Sequence, residues 1–292
     1  QYKNGEKGAN RYIISNNQSA VNVMEVFAML KMSGFPDQLP VDIIPLFETV
    51  DDLKRASNVM EILYRDEVYR EHVRKRGNQQ TIMLGFSDGT KDGGYLMANW
   101  SIFKAKEELS RISRKHNIKV IFFDGRGGPP ARGGGKTHQF YASLGPTIEN
   151  REIQLTIQGQ TISSNFGTID SSQYNLEQLM SSGVSNEIFD AGNNRLTEDE
   201  VALMNDLATR SYKAYSDFKS HPKFLAYLEN MSTLKYYAKT NIGSRPSKRK
   251  SSDTLDFSDL RAIPFVGSWS QLKQNVPGFF GVGSALQKFE DE

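Results

Sequence analysis

Apolar residues in this chain occur in short continuous runs and in longer helical repeats, and the two patterns alternate. The runs of strand length are residues 11–15, 42–47, 81–86, 119–123 and, more weakly, 153–157. Between them, apolar residues recur every three or four positions, which is the spacing of one helix face. Strands that alternate with helices through short loops are typical of a parallel sheet covered by helices. The pattern therefore predicts an α/β fold.

The helices are predicted from the same pattern and from their end signals. They cover residues 19–32, 51–64, a stretch onward to about 76, 99–116 and 197–219. Gly34 ends the first of them, and the sequence Thr197-Glu-Asp-Glu200 forms a capping box at the start of the last. The run RYIIS (11–15) is predicted to be a buried strand. Pro45 is awkward in a central strand because proline lacks the N–H of the ladder.

Composition removes several classes of function. The 292 residues are 38% hydrophobic and carry a net charge of +2, so nothing indicates nucleic-acid or anionic-membrane binding. Cysteine is absent, which excludes disulfides, thiolate zinc sites and a cysteine nucleophile and agrees with the cytoplasm. Because its first ten residues are polar, we expect no signal peptide, and no apolar run reaches the roughly 18 residues of a membrane span. Because it lacks an initiator Met, we expect a processed or excised piece.

Two acidic residues follow predicted strands directly. Glu48 comes after the run 42–47, and Asp88 follows the run 81–86. The chemistry of parallel α/β folds is found at the carboxyl ends of their strands. Two carboxylates there, with no cysteine and no paired histidine nearby, suit Mg²⁺ or Mn²⁺. The alternative is that each acid caps the helix that follows it.

A glycine-rich segment follows the fourth predicted strand. Residues 124–138 read DGRGGPPARGGGKTH. Glycines let several backbone N–H groups point at one anion, and Arg126 and Arg132 add forked donors for phosphate or carboxylate. A nucleotide-binding P-loop would need glycine where Pro130 stands. An RNA-binding RGG segment would be repetitive and strongly basic. An anion site is favoured over a flexible loop with solvated arginines.

At this point a set of short motifs matches a known family. In order along the chain they are RYIIS (11–15), PLFETVDDL (45–53), GFSDGTKDGG (85–94), GRGGPPARGGGKTH (125–138), TIQGQ (156–160), NIGSRPSKRK (241–250) and LRAIPFVGSWSQ (260–271). Each motif is modest alone, but all of them in this order are highly specific. The chain resembles phosphoenolpyruvate carboxylase over nearly its whole length.

This resemblance implies an activity and a fold. The family makes oxaloacetate and phosphate from phosphoenolpyruvate and bicarbonate, with Mg²⁺ or Mn²⁺. Bicarbonate attacks the phosphorus, the resulting carboxyphosphate releases CO₂, and the enolate attacks that CO₂. The family fold is a (β/α)₈ TIM-type barrel with extensive added α-helices, assembled as a homotetramer. The resemblance implies neither a nucleic-acid nor a membrane partner.

The resemblance also assigns the acids and one lysine. Glu48 and Asp88 match the metal-ligand acids of the family. Lys91 matches the lysine of the SD-x-x-KD-x-G motif, which is linked to bicarbonate use. The alternative role for Lys91 is that of a surface lysine at the start of a helix.

Four arginines match the family's substrate contacts. Arg126 corresponds to the phosphate-binding arginine of the glycine-rich loop, and Arg132 to the arginine linked to carboxylation. Arg245 and Arg261 match arginines that approach the phosphate or carboxyphosphate. The alternative for each arginine is an ion pair with a structural carboxylate.

The chain departs from the family pattern at two positions. Asp124 stands where the family has histidine before GRGG, and Ala131 stands where it has glycine. A carboxylate at Asp124 would repel a phosphate about 6 Å away by a few kcal/mol unless it paired with an arginine or stayed protonated. Asp124 therefore indicates either a divergent branch or an altered carboxylation step.

Some family features are missing from the chain. The family's catalytic histidine lies in a T-A-H-P-T-E motif that does not occur here. We therefore expect a piece of the catalytic barrel, with β/α units over 1–165 and a mainly helical extension over 166–292, that is inactive when isolated. The alternative is a non-catalytic phosphate- or carboxylate-binding module derived from the same fold.

Overall fold

The computed structural model describes residues 3, 5–6, 8–34, 39–188, 195–237, 256–257 and 260–290. The chain divides into two compact units. One, here called the sheet unit, comprises residues 1–85, 101–125 and 136–195. The other, here called the helical unit, comprises residues 86–100, 126–135 and 196–292. The predicted division at residue 165 stays a prediction.

The sheet unit contains five parallel strands in sequential order. They are β1 (Arg11–Ile14), β2 (Asp42–Phe47), β3 (Gln79–Gly85), β4 (Lys119–Gly125) and β5 (Ile153–Leu155). All five coincide with the predicted apolar runs, and the α/β class is confirmed. Parallel pairing follows from the helices between the strands, because each connection must return the chain to the same end of the sheet.

The prediction that the first strand is buried was wrong. Tyr12 and Ile13 are 47% and 39% exposed, because β1 pairs only with β2 among the described residues.

The position of Pro45 within β2 also has a physical reason. Residues 42–45 of β2 pair with β1, whereas Leu46 and Phe47 pair with β3. The proline therefore stands where the ladder changes partners and where its missing N–H is tolerated.

Helices connect the strands as predicted. Those that lie wholly in the sheet unit are α1 (Ala20–Met32), α2 (Val50–Arg65), α3 (Glu67–Lys75), α5 (Thr137–Ala142), α6 (Gln160–Phe166) and α7 (Ile169–Ile188). In α1, Val23, Val26 and Phe27 are buried, which confirms the predicted apolar face. Gly34, just beyond this helix, has the positive φ of 83° that its stop role requires.

The helix after β3 begins earlier than predicted. It was expected from residue 99, but α4 spans Phe86–Lys115, and the strand before it already ends at Gly85. Two helical segments of α4 meet at a kink at Gly94, which has the non-helical angles φ 75° and ψ 169°. The low helix propensity of the glycines at 89, 93 and 94 explains why the first segment was not predicted. Burial of Thr90 and Lys91 shows that tertiary packing overrides this local preference.

The helical unit also has its own core. Its helices are α8 (Glu198–Lys219), α9 (Phe224–Met231), α10 (Leu234–Tyr237), α11 (Ala262–Gln271), α12 (Val276–Phe279) and α13 (Val282–Glu290). Phe224, Phe265 and Trp269 form the centre of a buried apolar cluster. The capping box at Thr197 is present, with Glu200 N donating to the Thr197 hydroxyl and Thr197 N to the Glu200 carboxylate. Most of the loop predicted over 245–259 lies outside the described residues.

Nowhere in the described part of the chain is a helix both long enough and apolar enough to cross a membrane.

A buried histidine predicts how stability depends on pH. His72 in α3 is 7% exposed and packs against Phe27, with 5.3 Å between ring centroids. Burial lowers the pKa of His72 to about 4, although the carboxylate of Asp42 opposes the shift. The unfolded chain therefore binds a proton near pH 6.5 that the folded chain does not bind until about pH 4. Through this group, the free energy of unfolding should fall by roughly 2 kcal/mol between pH 7 and pH 4.5.

Urea unfolding at both pH values measures this effect. His72→Phe should lose about that much of the pH dependence, whereas His221→Phe, at an exposed position, should keep it all. Equal pH dependence in wild type and His72→Phe would show that His72 does not carry the effect.

Candidate functional site

Glu48 lies immediately after β2 in the sheet unit. Its side chain is 7% exposed, and its Oε2 accepts a hydrogen bond of 3.0 Å from the backbone N of Asn16. The alternative that Glu48 caps the next helix was wrong, because Thr49 is the N-cap of α2 and accepts from Asp52 N. Gly85 at the end of β3 leaves room for this carboxylate, since a Cβ there would lie 3.1 Å from Glu48 Cγ. The strand end thus presents a buried carboxylate that helix capping does not use.

Asp88 lies in the first turn of α4, in the helical unit. Its side chain is half-buried, and a negative charge there is stabilised by the helix dipole. The next residue toward the N-terminus, Ser87, donates its hydroxyl to the backbone O of Arg132 at 3.3 Å. Burial lowers the pKa of Arg132, and the charge of Asp88 opposes that shift. The helical unit therefore brings Asp88 and Arg132 together.

The glycine-rich loop (126–135) is a hydrogen-bonded turn. Gly134 N donates to Pro129 O and Gly135 N to Gly128 O, both at 2.9 Å, around a short 3₁₀ helix over Pro130–Arg132. A Cβ on Gly134 would lie 2.0 Å from the carbonyl oxygen of Gly127. This position therefore requires glycine for steric reasons.

Arg126 and Arg132 are not solvated side chains. Arg126 is 5% exposed, donates from Nη1 to Gly135 O at 3.3 Å and has its guanidinium carbon 5.9 Å from the ring centroid of Phe86. Arg132 is half-buried. The alternative of a flexible loop with solvated arginines is therefore wrong for these two residues.

Lys91 is not a surface lysine either. It is 8% exposed, and its Nζ donates to the backbone oxygens of Phe257 and Leu260 at 2.9 and 2.6 Å. The ammonium also lies 4.4 Å from the ring centroid of Phe257. Leu260 directly precedes Arg261, the half-buried N-cap residue of α11. Lys91 thus fixes the backbone next to Arg261, while Arg245 lies outside the described residues.

Asp124, the unexpected residue before the loop, has a partner that the sequence did not reveal. Its side chain is fully buried in the sheet unit, and its Oδ2 accepts from Lys106 Nζ at 2.7 Å and from Tyr141 Oη at 2.6 Å. Pairing with an arginine was the wrong expectation, because the cation is a lysine of α4. A signal for Lys106 did exist: it is three residues from both Phe103 and Leu109, which places it on the apolar face of the helix.

The second departure from the family pattern is explained by packing. Ala131 is 6% exposed and belongs to the buried cluster around Phe265 and Trp269. A methyl group there adds apolar contact in the core of the helical unit.

Lys219, at the end of α8, was missed by the sequence analysis. It donates from Nζ to the backbone O of Asp92 and lies 4.4 Å from the ring centroid of Tyr215. Burial lowers the pKa of Lys219 to about 8, and the charge of Asp92 opposes the shift. A basic residue in a last helical turn predicts an exposed side chain, so no local pattern indicated this contact.

The predicted metal-ligand acids, Glu48 and Asp88, are not part of a larger cluster of possible ligands among the described residues. Within these ranges, no group of three or more histidine, aspartate or glutamate side chains could hold a metal ion.

Comparison with known proteins gives a consistent result. A family model described as phosphoenolpyruvate carboxylase matches residues 1–292. Curated proteins named phosphoenolpyruvate carboxylase are similar to 98% of the chain: that of Corynebacterium diphtheriae is 38% identical and that of Mycobacterium leprae 36%. A third, from Nitrosomonas eutropha, is 36% identical over 99% of the chain. The chain spans only 31–32% of the length of these relatives.

Proposed function

The chain belongs to the phosphoenolpyruvate carboxylase family, and from this premise we propose that it forms the metal- and phosphate-binding part of a carboxy-lyase. The enzyme carboxylates phosphoenolpyruvate with bicarbonate to give oxaloacetate and phosphate. The observation that supports this best is that Lys91, Arg126, Arg132 and Arg261 are all buried or half-buried within the helical unit. Several positive charges held in one unit attract an anionic substrate.

The order of the strands supports a barrel. In a doubly wound sheet the strand order reverses at a switch point, whereas the strands of a (β/α)₈ barrel follow each other in sequence. The order β1-β2-β3-β4-β5, parallel throughout, fits the second arrangement. We propose that residues 1–165 form part of such a barrel and that residues 166–292 form its mainly helical extension.

The proposed roles of the basic residues follow from the charges of the reaction. Arg126 and Arg132 bind the phosphate of phosphoenolpyruvate, and Arg245 and Arg261 approach the phosphate or carboxyphosphate. Lys91 takes part in the use of bicarbonate as a substrate. Its hydrogen bonds to two backbone carbonyls also hold the backbone beside Arg261. Forked guanidinium donors match the geometry of phosphate oxygens, and their positive charge stabilises the phosphoryl group during transfer.

The bonds change in three steps. An oxygen of bicarbonate forms a bond to phosphorus while the bond from phosphorus to the enol oxygen breaks, which gives carboxyphosphate and the enolate of pyruvate. Carboxyphosphate then breaks its bond between carboxyl carbon and bridging oxygen and releases CO₂, and the proton that bicarbonate carried passes to the departing phosphate. The enolate carbon finally forms the new carbon–carbon bond with CO₂. The arginines stabilise negative charge throughout by electrostatic interaction.

Glu48 and Asp88 would hold the divalent cation. Carboxylate oxygens are the ligands that Mg²⁺ and Mn²⁺ prefer, and both ions commonly keep several waters. The burial of Glu48 and the half-burial of Asp88 fit two carboxylates that are not merely solvated surface charges. When bound, the ion supplies Lewis-acid stabilisation of negative charge on substrate oxygens.

Binding of Mn²⁺ tests this assignment. In an electron paramagnetic resonance titration, Glu48→Gln and Asp88→Asn should each weaken Mn²⁺ binding at least tenfold, because each removes one of two charged ligands. Asp51→Asn changes an exposed carboxylate of the first turn of α2 and should bind Mn²⁺ like wild type. Equal affinities in all four proteins would remove both residues from the metal site.

The second candidate function is a non-catalytic module that binds phosphate or carboxylate. Asp124, which stands where the family pattern has histidine before GRGG, is the observation that favours it. Asp124 favours it less than its charge suggests, because Lys106 neutralises this carboxylate. A homotetramer, a cytoplasmic location and the absence of a nucleic-acid partner belong to the carboxylase proposal and stay predictions.

A further inference from the structure

The glycine-rich loop follows β4 and precedes α5, two elements of the sheet unit. A buried carboxylate in β4 accepts a hydrogen bond from a side chain of α5. Asp124 is the next-to-last residue of β4, and Tyr141 lies in α5, the first helix after the loop. The hydrogen bond from Tyr141 Oη to Asp124 Oδ2 joins residues 17 positions apart, with residues 126–135 between them. It therefore closes the base of the loop.

Lys106 completes this arrangement from a third element, α4. Its ammonium pairs with the same Oδ2 at 2.7 Å, and both side chains of the pair are at most 1% exposed. Aromatic rings surround the ammonium, with the centroids of Phe122, Phe140 and Tyr141 at 5.0, 5.3 and 5.5 Å. Such rings favour a cation over their faces. One carboxylate oxygen thus connects β4, α4 and α5.

Further contacts hold α5 in place beyond the carboxylate. Asn186 of α7 donates to the backbone O of Tyr141 at 2.8 Å, and Ser182 donates to that of His138 at 2.9 Å. On the other side of the loop, the ladder between β3 and β4 continues to the pair Gly85 and Gly125. Both ends of the loop are therefore anchored, and the carboxylate connects one anchor to the other.

Stability alone does not account for a buried ion pair at this point. Replacement of such a pair by apolar residues of similar volume is often neutral or stabilising, because desolvation of the two charges offsets their attraction. Asp124 also precedes the phosphate-binding arginine by only two residues, so its charge needs a counter-ion close by. Lys106 is that counter-ion, and its hydrogen bond to Oδ2 also fixes the orientation of the Asp124 carboxylate.

We infer that Lys106, Asp124 and Tyr141 form a positioning clamp that fixes both ends of the glycine-rich loop and so holds Arg126 for the phosphate of the substrate. This inference rests on the proposed function of the loop. None of the three residues is assigned to contact the substrate; they act through the backbone of residues 126–135. The clamp is specific to a chain that has aspartate at position 124 and lysine at position 106.

Hydrogen exchange of the whole chain with the variant Tyr141→Phe tests the clamp. This change removes one donor but keeps the ring, and the amides of residues 126–135 should exchange about tenfold faster. The amides of β3 should exchange at wild-type rates. Tyr69→Phe is the matched control, because it removes a buried tyrosine hydroxyl that donates to Gln80 at 2.9 Å elsewhere in the sheet unit. It should leave loop exchange unchanged.

A triple variant separates positioning from stability. Lys106→Met, Asp124→Leu and Tyr141→Phe together remove both charges and the hydroxyl that would otherwise lose its acceptor. The chain should therefore unfold at or above the wild-type midpoint while its loop still exchanges about tenfold faster. Unchanged loop exchange in Tyr141→Phe or in the triple variant overturns the clamp, as does an equal acceleration of the β3 amides. Inorganic phosphate should slow loop exchange in wild type. If phosphate does not slow loop exchange in wild type, the proposed anion site is wrong. The Tyr141→Phe result tests the clamp independently of that outcome.

Discussion

The substitution Gly134→Ala is expected to weaken phosphate binding by the chain about a hundredfold. A Cβ at this position would lie 2.0 Å from Gly127 O and 2.2 Å from Gly128 O, and backbone atoms cannot move aside as a flexible side chain can. The turn must open, which breaks the hydrogen bonds from Gly134 N and Gly135 N. Overpacking and the two lost bonds together cost about 3 kcal/mol. If only the closed turn binds phosphate, affinity falls by the corresponding factor.

Calorimetric titration with inorganic phosphate measures this loss. Gly183→Ala is the control, because an added Cβ in this part of α7 meets no heavy atom within 4 Å. It should bind phosphate normally and gain stability through its higher helix propensity. Phosphate affinity that is the same in Gly134→Ala and wild type would show that the closed turn is not the binding form.

The chain alone is expected to form no measurable oxaloacetate. Attack on phosphorus needs the metal, the arginines and the substrate in one geometry, and a misplacement of about 1 Å costs about a hundredfold in rate. The chain supplies Glu48, Asp88 and the arginines, but its sequence contains no T-A-H-P-T-E motif. Correct orientation of the reactants lowers the activation barrier of such reactions by roughly 7–11 kcal/mol. A site that is only partly assembled loses most of this gain, so its reaction rate should be very low.

The order of strands and helices could be predicted because their patterns are local. Five apolar runs and the capping box at Thr197 each depend on a few neighbouring residues, and all coincide with observed elements. The start of α4 could not be predicted in this way. Its glycines disfavour a helix, and only burial of Thr90 and Lys91 by residues distant in sequence decides the outcome.

The candidate site was predictable only as a set of residue types. Arginines and glycines in one segment indicate an anion, but the burial of Arg126 depends on the whole helical unit. The partner of Asp124 lies 18 positions earlier in α4, and the partners of Lys91 lie 166 and 169 positions later. Single-sequence spacing carries no information about contacts at such separations, so the sequence could suggest these residues but not their bonds.

Oxaloacetate formation by the proposed full-length enzyme tests the central claim most directly. A coupled malate dehydrogenase assay with phosphoenolpyruvate, Mg²⁺ and bicarbonate measures it. The full-length enzyme and its variant Arg151→Gln, at a position 71% exposed, should turn over equally. Arg126→Gln should lose at least about a hundredfold in turnover, because in the proposed mechanism it removes a charged phosphate ligand. The isolated chain should be inactive. A full-length protein that binds phosphate but forms no oxaloacetate, or an Arg126→Gln variant with full turnover, would contradict the proposal.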